Sequence, residues 1–168
     1  SFLRTRNLYE NIERLNRVAV PLSLEISDLQ ANIRNAQSVL SRSDPFVLKR
    51  TVQVTEFVFS FPRRIQGTYR EAGHLFNRLQ DSRFHVSQTR TKFRKIGPQI
   101  ERFNTRFRRL SEAITSEGPA LDQSSQQTRE LRAKLIETGN NVTRQLELVS
   151  QDVQQFSDQT LARANQQY

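Results

Sequence analysis

The chain has 168 residues, of which 35% are apolar, and a formal net charge of +9. Globular domains run at roughly 45–50% apolar with glycine counted, so a thin core and an extended shape are expected. Five glycines and five prolines are too few for an all-β protein with a turn every ~8–12 residues, and the lack of cysteine excludes disulfides, thiolate nucleophiles and cysteine metal sites.

Leu8, Ile12, Leu15, Ala19, Leu22, Ile26, Leu29, Ile33, Ala36 and Leu40 follow one another in alternating steps of four and three. That rhythm puts one narrow apolar stripe along a helix. The phase survives Pro21, where a kink is expected, because proline removes a hydrogen bond and crowds the preceding turn. This first helix is expected over about 3–43.

Ser43-Asp44-Pro45 supplies an N-cap and a proline at the first helical position. The rhythm then resumes at Val47, Thr51, Val54, Val58, Phe61 and Ile65 and keeps step through Phe93, Ile96, Ile100, Phe103, Phe107 and Leu110 to Ile114. Two readings follow. As one helix the stretch would be ~105 Å long, at 1.5 Å per residue. Alternatively the chain reverses near Gln80-Asp81-Ser82-Arg83, giving helices over about 45–81 and 83–116. Unbroken phase supports the first. The need to bury Phe57, Phe59, Phe61, Tyr69, Phe76 and Phe84, which lie off the seam or beside it, supports the second. TVQVTEFVFSF (51–61) also alternates like a strand, but its seam continues into helix on the far side.

Ser116-Glu117-Gly118-Pro119 is a stop, and a last helix is expected over about 121–166. Its seam holds Leu131, Leu135, Val142, Leu146, Val149, Val153 and Phe156, with a stutter near Val142 that would locally unwind a supercoil. The expected fold is therefore all-α. It is a single module over 1–168, an elongated antiparallel helical bundle with coiled-coil heptad packing. It has four long kinked helices, or three with one very long middle helix.

Charge is uneven along this chain. Residues 82–116 hold nine basic and two acidic residues, whereas residues 117–168 hold five and seven. In KFRKIGPQIERFNTRFRRL (92–110), Lys92, Lys95, Arg102, Arg106 and Arg109 form a stripe beside the phenylalanine seam, with a neutral gap at Gln99. The stripe runs ~25 Å along the helix. It either pairs with Glu130, Glu137, Glu147, Asp152 or Asp158 of the last helix, or it serves a polyanion or acidic partner. Arginine outnumbers lysine 22 to 4, and its fork suits carboxylate, phosphate or sulfate.

Other chemistries find little support. Glu71-x-x-His74 has the spacing of half a di-iron carboxylate site, but position 82, three before His85, is Ser, so no second half exists. No metal site and no cofactor are expected. Nucleotide-binding glycine loops, the HExxH motif and the GxSxG elbow are all absent, so the chain is read as no enzyme. The phenylalanines fall on the seam rather than on a stacking platform, which argues against sequence-specific nucleic-acid binding.

The function expected is that of a non-catalytic structural or interaction protein. It would bind partner chains or polyanions through its basic helix face, or self-associate through its seams. The alternative is a membrane- or lipid-binding amphipathic bundle, with insertion beginning at the Phe-rich stretch 57–61 before Arg63-Arg64. Nonspecific nucleic-acid binding is third. No apolar run approaches the ~20 residues of a membrane span. The chain begins at Ser1 and holds no methionine, and Asn141-Val142-Thr143 is a sequon, so a processed chain, secreted or organelle-imported, is expected with Asn141 as glycan acceptor.

Overall fold

A computed structural model describes residues 2–41, 57–80, 86–117 and 126–166. Every described element is helical: α1 (Phe2–Arg14), a π-helical turn (Leu15–Ala19), α2 (Val20–Leu40), α3 (Phe57–Gln80), α4 (Ser87–Glu117) and α5 (Gln126–Gln166). The parts of the expected helices over 42–56 and 121–125 lie outside the described residues, as do His85 and Phe84.

Pro21 follows that π turn inside a helix continuous from Phe2 to Leu40, so its missing N–H removes one intrahelical hydrogen bond. The turn before it widens to π geometry. The helix thus passes the proline by changing its hydrogen-bond register, a known cause of kinks. At its far end α2 closes with the Ser41 N–H donating to the Gln37 carbonyl at 2.9 Å.

Hydrogen bonds and ring contacts give the direction of each helix pair. Tyr69 of α3 donates to the Phe93 carbonyl of α4 at 2.9 Å, and Phe61 meets Phe107 edge-on at 5.8 Å. Rising numbers on α3 therefore meet falling numbers on α4. The middle stretch is two antiparallel helices, and the chain turns back between Gln80 and Val86. Counting in fours and threes is blind to such a reversal, because both helices bury the same kind of edge in one core. Thr89 of α4 bonds Asp152 of α5 while Arg106 bonds Thr138, so this pair is antiparallel too. Gln30 and Gln37 of α2 reach Thr143 and Ile136 of α5, which again run in opposite directions.

The apolar seam is the core. From Phe61 to Leu79 and from Val86 to Ile114, each described position in the four–three series is buried, Thr68 and Thr89 included. Leu22, Ile26, Leu29, Ile33, Ala36 and Leu40 of α2 join them, together with Leu135, Val142, Leu146, Val149 and Val153 of α5. The gap in the α5 series between Leu135 and Val142 is filled by buried Thr138 and Gly139. Gly139 is needed there. A Cβ would come 2.9 Å from the Phe103 ring and closer still to the Gln37 amide. Off the seam, Phe76 is fully buried and Tyr69 packs against the core.

α1 differs from the rest. Phe2, Leu3 and Tyr9 are 82%, 69% and 70% exposed, so this helix keeps apolar side chains in water. No described helix is long and apolar enough to cross a membrane.

Candidate polyanion-binding face

Helix α4 presents different groups to each neighbour. Phe93, Ile96, Ile100, Phe103, Phe107 and Leu110 point into the core. One step around, at sevenfold spacing, Lys92, Gln99 and Arg106 meet α5. The Lys92 ammonium lies 3.0 Å from the Asp152 carboxylate, which also accepts from the Thr89 hydroxyl at 3.1 Å. Gln99 accepts from the Asn141 amide at 3.5 Å. Arg106 donates to the Thr138 hydroxyl at short range and to the Lys134 carbonyl at 3.4 Å. Thr138 is free to accept because its own proton goes to the same Lys134 carbonyl, at 2.7 Å.

The other three members of the stripe stand elsewhere. Lys95, Arg102 and Arg109 are exposed, seven residues apart, and make no hydrogen bond or ion pair with any described residue. The five-residue stripe thus divides into two: Lys92 and Arg106 are tied to α5, while Lys95, Arg102 and Arg109 face outward. Of the five acids that could have paired with it, only Asp152 does so within the described residues.

Sequence reasoning left the cations around this outward row out of the stripe, naming only Arg63 and Arg64 and for a different role. Arg94 and Arg108 are exposed on α4 next to Lys95 and Arg109, and Arg63, Arg64, Arg70 and Arg78 are exposed on α3. The α3 group was hidden because its segment, residues 44–81, also carries four acids and nets only +2. Structure separates these charges by edge. Glu71 belongs to the α2–α3 edge with Glu25 and Asp28, where burial first and then repulsion from Asp28 and Glu71 push the Glu25 carboxyl above its ordinary range. Thr68 donates to Asp28 at 3.5 Å on the same edge. Acids thus gather between α2 and α3, and Arg63, Arg70 and Arg108 between α3 and α4, whereas Arg64 and Arg78, seven residues either side of Glu71, share its side of α3.

Asn141, the expected glycan acceptor, is exposed in mid-helix, with its amide nitrogen on Gln99 and its oxygen accepting from Gln145 at 3.4 Å. His74 is exposed on α3. Among the described residues no three His, Cys, Asp or Glu side chains gather as a metal site would require. Phe61, from the stretch read as a lipid insertion point, is buried against Phe107; the side chains of Phe57 and Phe59 lie outside the described residues.

No family model matches this chain, and comparison with curated proteins and with solved structures returns no match.

Proposed function

We propose that this chain is a non-catalytic interaction module, an elongated antiparallel helical bundle packed by heptad seams, which holds acidic partner chains or polyanions against the outward face of α4. The observation that carries this reading is the row Lys95, Arg102 and Arg109, exposed and unpartnered among the described residues. Three cations on one helix face repel one another. A helix that keeps them in a row gains most from an anion that spans them.

Binding to heparin, as a polyanionic probe, tests the proposal. Replacing Lys95, Arg102 and Arg109 together by Gln should weaken binding about tenfold or more and flatten its salt dependence, because fewer counterions are exchanged. Lys92→Gln with Arg106→Gln should change it less, since α5 already occupies those side chains. Equal losses in the two variants would mean that diffuse charge, not the row, does the binding.

One observation favours a second reading, a bundle that binds membrane surfaces. α1 exposes Phe2, Leu3 and Tyr9 beside Arg4 and Arg6, the mixture an interfacial helix uses. Flotation with anionic and neutral liposomes decides it. Replacing Phe2, Leu3 and Tyr9 by Ser should abolish anionic-vesicle binding; no binding by the parent chain at low salt removes the reading.

A further inference from the structure

Where α3 and α4 lie side by side, a groove of about 600 Å³ is lined by Arg63, Gly67 and Arg70 on one helix and Glu101, Asn104 and Arg108 on the other. Its size falls within the ~300–1,000 Å³ of small-ligand sites. Arg63 stands four residues before Gly67 and Arg70 three after it, so all three share one face of α3. A Cβ at Gly67 would meet nothing within 4 Å. The glycine therefore leaves open the space between two guanidinium groups. Arg108 brings a third cation from α4, and Glu101 is the one acid in the lining. None of the three arginines has a hydrogen bond or ion pair with a described residue.

A second observation comes from Asn104. It is only 6% exposed, and its Nδ2 donates to the Pro62 carbonyl at 3.3 Å. Its Oδ1 is closed to solvent, so Asn104 ties α4 to α3 beside the groove and offers a ligand there no acceptor. The three guanidinium groups ask for anions, best of all phosphates, which they grip bidentately. A phosphodiester chain spreads single charges along its length and brings few of them into one groove. A neutral sugar offers hydroxyls and leaves three cations uncompensated.

We propose that the groove binds a compact polyol bearing several phosphate groups, of the inositol polyphosphate class. Its phosphates bridge Arg63, Arg70 and Arg108. The same chemistry occurs in a free polyphosphate and in a phosphorylated inositol lipid headgroup. The inference extends the reading of α4 as an anion-binding helix, but it uses residues other than Lys95, Arg102 and Arg109.

The experiment is calorimetric titration of the full chain with myo-inositol hexakisphosphate and with inorganic phosphate, beside flotation on vesicles containing phosphatidylinositol bisphosphate or matched in charge with phosphatidylserine. Gly67→Glu is the central variant. It puts a carboxylate into empty space, so the helix content and melting temperature should hold while hexakisphosphate binding falls about tenfold or more. Arg63→Gln with Arg70→Gln and Arg108→Gln should do the same. The Lys95, Arg102 and Arg109 triple variant should bind hexakisphosphate within about twofold of the parent, at moderate salt that screens distant charge. Binding to the soluble polyol, or to the bisphosphate vesicles above the serine-lipid ones, supports the site, and the arm that responds identifies the source. Binding in neither arm overturns it, as do undiminished binding by a folded Gly67→Glu chain and inorganic phosphate matching the polyol. Heparin binding lost in the outward-row variant but hexakisphosphate never bound would leave the proposed function standing and this inference refuted.

Discussion

The two edges of α4 close by different physics. Against α5 the contacts beside the core are polar and specific: Lys92 with Asp152, Gln99 with Asn141, Arg106 with Thr138. Against α3 they are largely aromatic. The Tyr69 ring stacks on Phe93 at 4.5 Å, Phe76 lies 4.9 Å from the same ring, and Phe61 meets Phe107. Rings contribute through buried area and shape, with no need to satisfy a charge. The α3–α4 edge can therefore hold without using its arginines, and those arginines stay available. On the α5 edge the cations are consumed in holding two helices together. Which face of one helix can bind something else depends on what closes each side of it.

The largest effect that should separate the edges comes from the shared ring. Phe93 is 1% exposed and lies between Tyr69 and Phe76. Phe93→Ala removes two ring contacts and leaves a cavity, at a cost of about 3–5 kcal/mol. A denaturant midpoint that barely moves would mean the α3–α4 edge is not closed by these rings.

Next in size is a contact that depends on Gly97-Pro98. Pro98 has no N–H for the Arg94 carbonyl four residues back. The Tyr69 hydroxyl lies 2.9 Å from the Phe93 carbonyl and 3.4 Å from that of Arg94, approaching over Gly97. A Cβ on Gly97 would come 2.9 Å from the hydroxyl oxygen. Gly97→Ala should therefore cost about 1–3 kcal/mol through overpacking, despite alanine's better helix propensity. In a Tyr69→Phe background the same substitution should cost less, because the clashing oxygen is gone; strictly additive effects would show that the two groups do not touch. Ionisation gives a further handle. Burial, the largest cause, holds the Tyr69 phenol above its ordinary pKa of about 10. Its contribution to stability is full below that value and is lost as pH rises toward the folded-state pKa, since the unfolded chain gives up its proton first. Tyr69→Phe should flatten that alkaline fall.

What could be read from the sequence follows the same division. The buried edge was legible residue by residue, because four–three spacing of Phe, Ile and Leu in an arginine-rich segment has one explanation, a shared core. The reversal between α3 and α4 was not, since seam phase carries no direction; only the rings off or beside the seam argued for it, and two of them, Tyr69 and Phe76, pack against Phe93. The stripe was legible as a stripe. Its division was not, because Lys92 and Lys95 differ by three positions on a helix, and which of them meets α5 depends on where α5 lies. The groove was harder still. Gly67 between Arg63 and Arg70 is visible in the chain, but Asn104 and Arg108 come from another helix.

The smallest expected effect tests the α5 edge. The Lys92 side chain is 55% exposed and that of Asp152 28%, so water and salt screen much of their attraction. Exposed pairs contribute about 0–1 kcal/mol. Lys92→Gln should fall in that range, and the difference should shrink at high salt, where the Debye length drops to about 3 Å. Asp152→Ala should cost more, because it also leaves the buried Thr89 hydroxyl without its acceptor. That ordering distinguishes a carboxylate held chiefly for a buried hydroxyl from one held chiefly for a lysine. If the two substitutions cost the same at both salt concentrations, the polar closure of the α4–α5 edge is electrostatic alone, and Thr89 plays no part in it.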